Sequence, residues 1–221
     1  MIKLPYGTDW LELDLPEQGG DGQHGCAVLR SRIDELAAAE PGIDIVRRAM
    51  AAPIGSPRLA ELAKGKKTCT IIISDHTRPV PSKDILPPML EELREGQPDI
   101  DITLLVATGF HRVTATEELV AKLGEEIANS EKIVVHDCRD EASNVKIGVL
   151  PSGADLVIDR AAAECDLLVA EGFIEPHFFA GYSGGRKAIL PGIASRRTVL
   201  YNHNARFIRN PRARQDRKSV V

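Results

Sequence analysis

The chain has 221 residues, of which 43% are apolar and 27% charged, with a formal net charge of −4. That is enough for one large domain or two small ones with a real core, and the charge balance points to neither nucleic acid nor a membrane surface. No apolar run approaches the roughly 18 residues of a membrane span, and MIKLPYGTDWLELDLP lacks the basic start and apolar block of a signal peptide.

From the N-terminus, IKLPYG and WLELDLP alternate apolar and polar residues and predict a half-buried hairpin. The stretch from Gly19 to Gly25 reads as a loop, with His24 solvated in it. A helix is expected near Asp44–Ala51, and a second, short one over PRLAELAKG, ended by Gly65. TIIIS at 70–74 is β-branched and short, so it reads as a buried strand. Ser82 is the expected N-cap of an amphipathic helix over KDILPPMLEELREG. ITLLVA at 102–107 is a further buried strand. Thr114 or Thr116 is expected to cap TEELVAKLGEEI, with a Glu three positions after Thr114 as in a capping box. KIVVHD at 132–137 is the next strand, and VKIGVL and ADLVIDR pair around PSG. RAAAEC is a short helix, and DLLVAEG at 166–172 is another buried strand. ASRRTVLY is helical.

Strands and helices alternate with short connections. The expected fold is therefore α/β: a mainly parallel, Rossmann-like sheet with helices on both faces, plus an N-terminal β-hairpin. Cys26, Cys69, Cys138 and Cys165 are widely spaced without a CxxC pair, so reduced thiols in a cytoplasmic protein are expected rather than a disulfide framework or a cysteine zinc site.

In a parallel sheet, ligands bind beyond the carboxyl ends of the strands. TIIIS runs into Asp75-His76-Thr77-Arg78, LLVAT into Gly109-Phe110-His111-Arg112, and LLVAEG into Glu175-Pro176-His177 and the glycine-rich YSGGRK. The topology thus predicts one crevice holding Asp75, Arg78, His111, His177, Arg186 and Lys187. Arg78 has the fork that grips a carboxylate, and a histidine takes a hydroxyl proton near neutral pH. Histidines on opposite faces of one substrate would serve both mirror images. The paired glycines let backbone amides approach an anion, and a partly desolvated lysine there can act as an amine nucleophile. SGGRK fits neither GxxxxGK[ST] nor GxGxxG.

Each feature has a plainer account. Asp75 and Arg78 can form a local salt bridge before Pro79, and SGGRK can be a tight turn with two solvated cations. His76 and His136 also fall near strand ends, so position alone does not select among the histidines. His203, in NHN, has no second ligand at helical spacing, so a metal there would be bound mainly by something other than protein.

Taken together, SDHTRPVPS, ATGFHR, EPHFFAGYSGGRKAILPG and the downstream NH resemble the nickel-pincer-dependent lactate racemase family. The resemblance runs from about Ile2 to Pro211, and the tail QDRKSVV at the C-terminus does not share it. It implies a 2-hydroxy-acid racemase or epimerase that uses a nickel-pincer nucleotide, a pyridinium mononucleotide with two sulfur-containing arms. On that resemblance Lys187 would carry the cofactor, with Ser183, Gly184, Gly185 and Arg186 around it, and His203 would bind nickel. His111 and His177 would be the paired acid/base residues, Arg78 would hold the substrate, and Asp75 would help position the site. Phe178, Phe179 and Tyr182 would wall it.

The implied partners are a small 2-hydroxy acid, the enzymes that make the cofactor, and a second α/β domain. Family members are roughly twice this length, and a substrate-binding lysine of that second domain has no counterpart here. A shortened chain with little activity alone is therefore expected. The other reading is a non-catalytic module that binds a phosphate-bearing ligand or a metal. A His/Asp metal hydrolase is disfavoured, since neither a nucleophile elbow nor HExxH occurs.

Overall fold

The computed structural model of the chain describes residues 2–7, 9–14, 32–36, 39–177 and 181–214. The chain divides into two units, Met1–Ala39 and Glu40–Val221. In the first, β1 (Ile2–Tyr6) and β2 (Asp9–Leu13) form the expected antiparallel hairpin, with Leu4 opposite Leu11 and Lys3 opposite Glu12, but every residue of the two strands except Ile2 is exposed, so the hairpin is not half-buried as its alternation predicts. Lys3 and Glu12 form an ion pair at 3.1 Å. The expected loop from Gly19 to Gly25, with His24 and Cys26, lies outside the described residues.

The second unit is built on a parallel sheet in the order β5-β4-β3-β8. Its strands are β3 (Thr68–Ser74), β4 (Asp101–Ala107), β5 (Lys132–Val135) and β8 (Leu167–Ala170). Between β5 and β8, the antiparallel ribbon of β6 (Asn144–Val149) and β7 (Asp155–Asp159) turns around PSG, as its sequence predicts. Side chains alternate across β3 and β4, so each strand feeds two cores. Ile71, Ile73, Leu104 and Val106 pack with Leu86 and Leu93 of α3 (Ser82–Gly96), Leu119 and Leu123 of α4 (Thr116–Leu123), and Ile127 of α5 (Glu125–Ser130). Ile72 and Leu105 point the other way, to Ile158 on β7, Ala162 of α6 (Arg160–Ala163), Ile193, and Val199 of α7 (Arg196–Asn202). Each fully buried Ile or Leu contributes about 1.5–3 kcal/mol. Central strands buried on both faces are the reason their sequences are unbroken apolar runs.

The shorter helices α1 (Gly42–Ala51) and α2 (Leu59–Ala63) fall where expected. Helix α3 contains Pro87 and Pro88, which remove two backbone donors. Its buried face of Leu86, Met89, Leu90 and Leu93 holds it together regardless. Cys69 and Cys138 are buried free thiols, and Cys165 is half-buried and free.

Two caps differ from expectation. Ser82 is the first residue of α3, not its cap, and its hydroxyl donates to Glu171 Oε1 at 2.7 Å. Ala115 is the N-cap of α4, and Glu118, not Glu117, accepts its amide at 2.8 Å. Thr114 is buried with its Oγ1 3.2 Å from His76 Nδ1. In both cases a long-range partner took a side chain that local pattern assigned to the helix. The expected single helix over TEELVAKLGEEI is split at Gly124, whose φ is +86°.

Candidate functional site

The carboxyl ends of β3, β4 and β8 lie side by side, with Ser74 level with Ala107 and Ile72 level with Ala170. The loops that leave them enclose a cavity of about 540 Å³. Asp75, Arg78, His111, His177, Ser183, Gly184, Gly185, Lys187 and His203 all line it. Arg186 is exposed and is not among the lining residues.

Asp75 is 1% exposed. Its Oδ1 accepts the Thr77 amide at 3.1 Å and the Thr77 hydroxyl at 2.7 Å, and its Oδ2 lies 2.6 Å from His111 Nδ1. Burial pushes the Asp75 carboxyl up, but the hydrogen bonds from Thr77 and His111 outweigh it and hold the carboxyl below its usual range. An ionised partner at Nδ1 fixes the His111 tautomer and leaves Nε2 as the basic nitrogen. Asp75 thus serves His111, and no Asp75–Arg78 salt bridge exists among the described residues. The backbone carbonyl of Arg78 accepts the Lys122 ammonium at 3.2 Å, which anchors the turn from α4. Gly109, at φ +57°, turns the chain after β4, and its amide donates to Gly192 O at 2.9 Å.

The third loop folds back on itself. β9 (Pro176–His177) pairs with β10 (Gly181–Tyr182), placing Gly181 opposite His177. Ser183 donates its amide to Glu175 O and accepts the Glu175 amide on Oγ, both at 2.9 Å. Gly184 has φ +80°, and a Cβ there would sit 2.8 Å from Phe173 O, so only glycine fits the turn. The Gly185–Ala188 segment is one short 3₁₀ turn that carries Lys187.

Burial, then the charges of Lys187, Arg78 and His203, depress the His177 imidazole below its ordinary value, and Glu175 opposes them. Burial and Arg78 likewise depress the Lys187 amine. His203 is held at the end of α7, its Nδ1 3.2 Å from the Val199 carbonyl. That contact makes Nδ1 the N–H donor, so Nε2 is the ring nitrogen that carries the lone pair. Burial is the main cause of its lowered basicity.

The structure also separates the other histidines from the site. His136 has a fully buried side chain between Asp159 Oδ2 at 2.9 Å and Ala194 O at 3.2 Å, so it ties β5 to the ribbon. His76 faces Thr114 and lines a neighbouring cleft with Lys83, Glu118 and Lys122. Tyr182 is 47% exposed and does not line the cavity, whereas Phe110 and Phe173 do. Phe178 and Phe179 lie outside the described residues. Sequence reasoning missed Glu171 and Ser74, which also line the cavity. The available signal was an acid directly after the apolar run LLVA.

Residues 6–216 match the family model of the lactate racemase N-terminal domain. The chain belongs to the lactate racemase family. It is 51% identical over 213 residues to a lactate racemase of Thermoanaerobacterium thermosaccharolyticum, covering 96% of this chain and 49% of the relative. It is 49% identical over 215 residues to a lactate racemase of Lactiplantibacillus plantarum, with the same coverage of 96% and 49%. The fold superimposes on the lactate racemase apoprotein from T. thermosaccharolyticum with a TM-score of 0.81 at 49% identity, over 100% of this chain and 49% of that one. A Thermotoga maritima protein at 22% identity and a TM-score of 0.59 shares the fold, over 71% of this chain and 39% of its own. This chain spans about half the length of the curated lactate racemases it matches.

Proposed function

We propose that this chain carries the acid/base and cofactor-bearing half of a 2-hydroxy-acid racemase, acting with the portion of the relatives that it does not span. The observation that supports this reading most is the convergence of Arg78, His111, His177, Lys187 and His203 on one cavity in a member of this family. The substrate is a lactate-like 2-hydroxy acid.

A nickel-pincer nucleotide fits the residues present. Among the described residues no three His, Cys, Asp or Glu side chains cluster as a metal cage, so a metal at His203 must bring its other ligands with it. Lys187 has the depressed basicity that makes an amine a nucleophile, and so is the residue to hold the cofactor covalently. Nothing lies within 4 Å of where a Cβ of Gly185 would be, which leaves room beside Ser183 and Gly184 for the cofactor's anionic end. Arg186 would meet that end from outside the cavity. When bound, this group supplies the acceptor and donor of the C2 hydride. Enzymes that build it are the implied partners of the chain.

The protein's own share is proton transfer and orientation. Arg78 has no carboxylate partner among the described residues, so its guanidinium is available to grip the substrate carboxylate with two parallel hydrogen bonds. His111, held by Asp75 at Nδ1, takes the hydroxyl proton of one enantiomer at Nε2 and returns it in the reverse direction. His177, neutral at pH 7 because its basicity is lowered, does the same for the other enantiomer. With the carboxylate fixed, rotation of the flat keto acid presents either face of C2.

The test is intact-mass analysis after coexpression with the family's cofactor-synthesis enzymes. A nucleotide-sized adduct is expected on Lys187 and absent from Lys187→Ala. Retention of the adduct by Lys187→Ala overturns the assignment.

A further inference from the structure

Two residues that line the cavity each carry a buried polar atom with no hydrogen-bond partner among the described residues: Ser74 Oγ and Glu171 Oε2. They stand at the ends of adjacent parallel strands. Ser74 closes β3, and Glu171 follows β8 directly, its amide donating to Ile72 O at 3.0 Å. Glu171 is 7% exposed, and Ser82 satisfies only its Oε1. The Ser74 amide lies toward the Glu171 carboxyl and favours its charged form, yet completes no hydrogen bond to Oε2. A buried polar atom left without a partner costs roughly 1–3 kcal/mol, so two of them on residues that line one cavity call for a ligand group.

We propose that Ser74 and Glu171 form a hydroxyl-binding subsite among the residues that line the cavity. The chemistry selects the group. A ligand hydroxyl donates to the carboxyl oxygen and accepts from the serine hydroxyl, satisfying both atoms. An anion is repelled by Glu171, and a ligand cation is repelled by Arg78 and Lys187, which line the same cavity. Burial raises the Glu171 carboxyl above its usual range, with Ser82 and Lys122 opposing, and a carboxyl in either protonation state still pairs with a hydroxyl. The ligand class is therefore an anion that carries hydroxyl groups, as a sugar phosphate or a nucleotide does. The subsite deepens the nucleotide reading above, and for that reading it names the hydroxyl contacts.

The test is calorimetric titration of the unloaded chain with ribose 5-phosphate and with inorganic phosphate. Ribose 5-phosphate is expected to bind about tenfold more tightly, the worth of one or two net hydrogen bonds. Ser74→Ala and Glu171→Met are expected to bring that ratio to about one while phosphate affinity stays within about twofold. Equal affinity of the parent chain for both probes overturns the subsite, as does an unchanged ratio in Ser74→Ala with an unchanged melting temperature. If Glu171→Met fails to fold, Ser74→Ala alone decides. The Lys187 adduct is a separate readout: an adduct with no hydroxyl preference sinks the subsite and spares the tethered nucleotide, and a hydroxyl preference without an adduct does the reverse.

Discussion

The Asp75 carboxylate and the His111 imidazole are joined at 2.6 Å across two neighbouring strand ends, with the aspartate buried and the histidine side chain 43% exposed. The sealed carboxylate commits Nδ1 inward, and Nε2 is the nitrogen on the accessible ring that the proposed proton transfer would use. Asp75→Asn is expected to convert His111 from the Nδ1–H form to a mixture of tautomers, read from its ring nitrogen shifts by NMR. An unchanged tautomer would remove Asp75 from its positioning role.

The same substitution has a pH signature. The folded-state carboxyl of Asp75 is held below its usual range, so its contribution to stability is present above the unfolded value of about 3.9 and is lost as pH falls through the folded value. Asp75→Asn should cost on the order of 1–3 kcal/mol at pH 7, and the difference should shrink in acid. Denaturant melts at several pH values measure it.

Glu171 carries the opposite sign. Its folded-state carboxyl is raised by burial, so the stability it contributes is full below the unfolded value of about 4.3 and is lost as pH rises through the folded value. Glu171→Gln keeps an acceptor for Ser82 and removes the charge. It is expected to match the parent near pH 4 and to be the more stable protein at pH 8, by thermal melts.

Lys187 should label at lower pH than an ordinary exposed lysine. Burial and Arg78 depress its basicity, so labelling by an amine-directed acylating reagent should have a pH midpoint below the ordinary 10.4 or so. Arg78→Met removes the charge that depresses it and should move that midpoint upward. Peptide mass mapping of the label against pH reads both, and a midpoint indifferent to Arg78 would separate the two residues.

Gly184→Ala tests the turn that presents Lys187. With φ at +80° and a Cβ forced to 2.8 Å from Phe173 O, the alanine should cost on the order of 1–3 kcal/mol. Gly185→Ala meets no atom within 4 Å, and so pays only for its φ of +55°. A larger loss of thermal stability in Gly184→Ala than in Gly185→Ala is the expected order.

The sequence by itself determined the parallel sheet and the edge at which the site forms. Runs such as TIIIS, ITLLVA and LLVA are apolar on both faces because helices or the ribbon cover both, and short connections leave few ways to order them. Loops that follow adjacent parallel strands must open at one end, so Asp75, His111 and His177 were bound to meet. Tertiary structure alone decided how side chains with several possible partners are used. The Ser82 hydroxyl bonds Glu171 instead of capping its helix, Asp75 took His111 rather than Arg78, His136 was sealed against Asp159 while His177 stayed at the cavity, and Arg186 turned outward where Lys187 turned in. The physical reason is range. Hydrophobic period and chain connectivity act over neighbouring residues and can be read along the chain, whereas a hydrogen bond is chosen among whatever groups packing brings within 3 Å or so, and those partners lie as far apart as the 89 residues between Ser82 and Glu171.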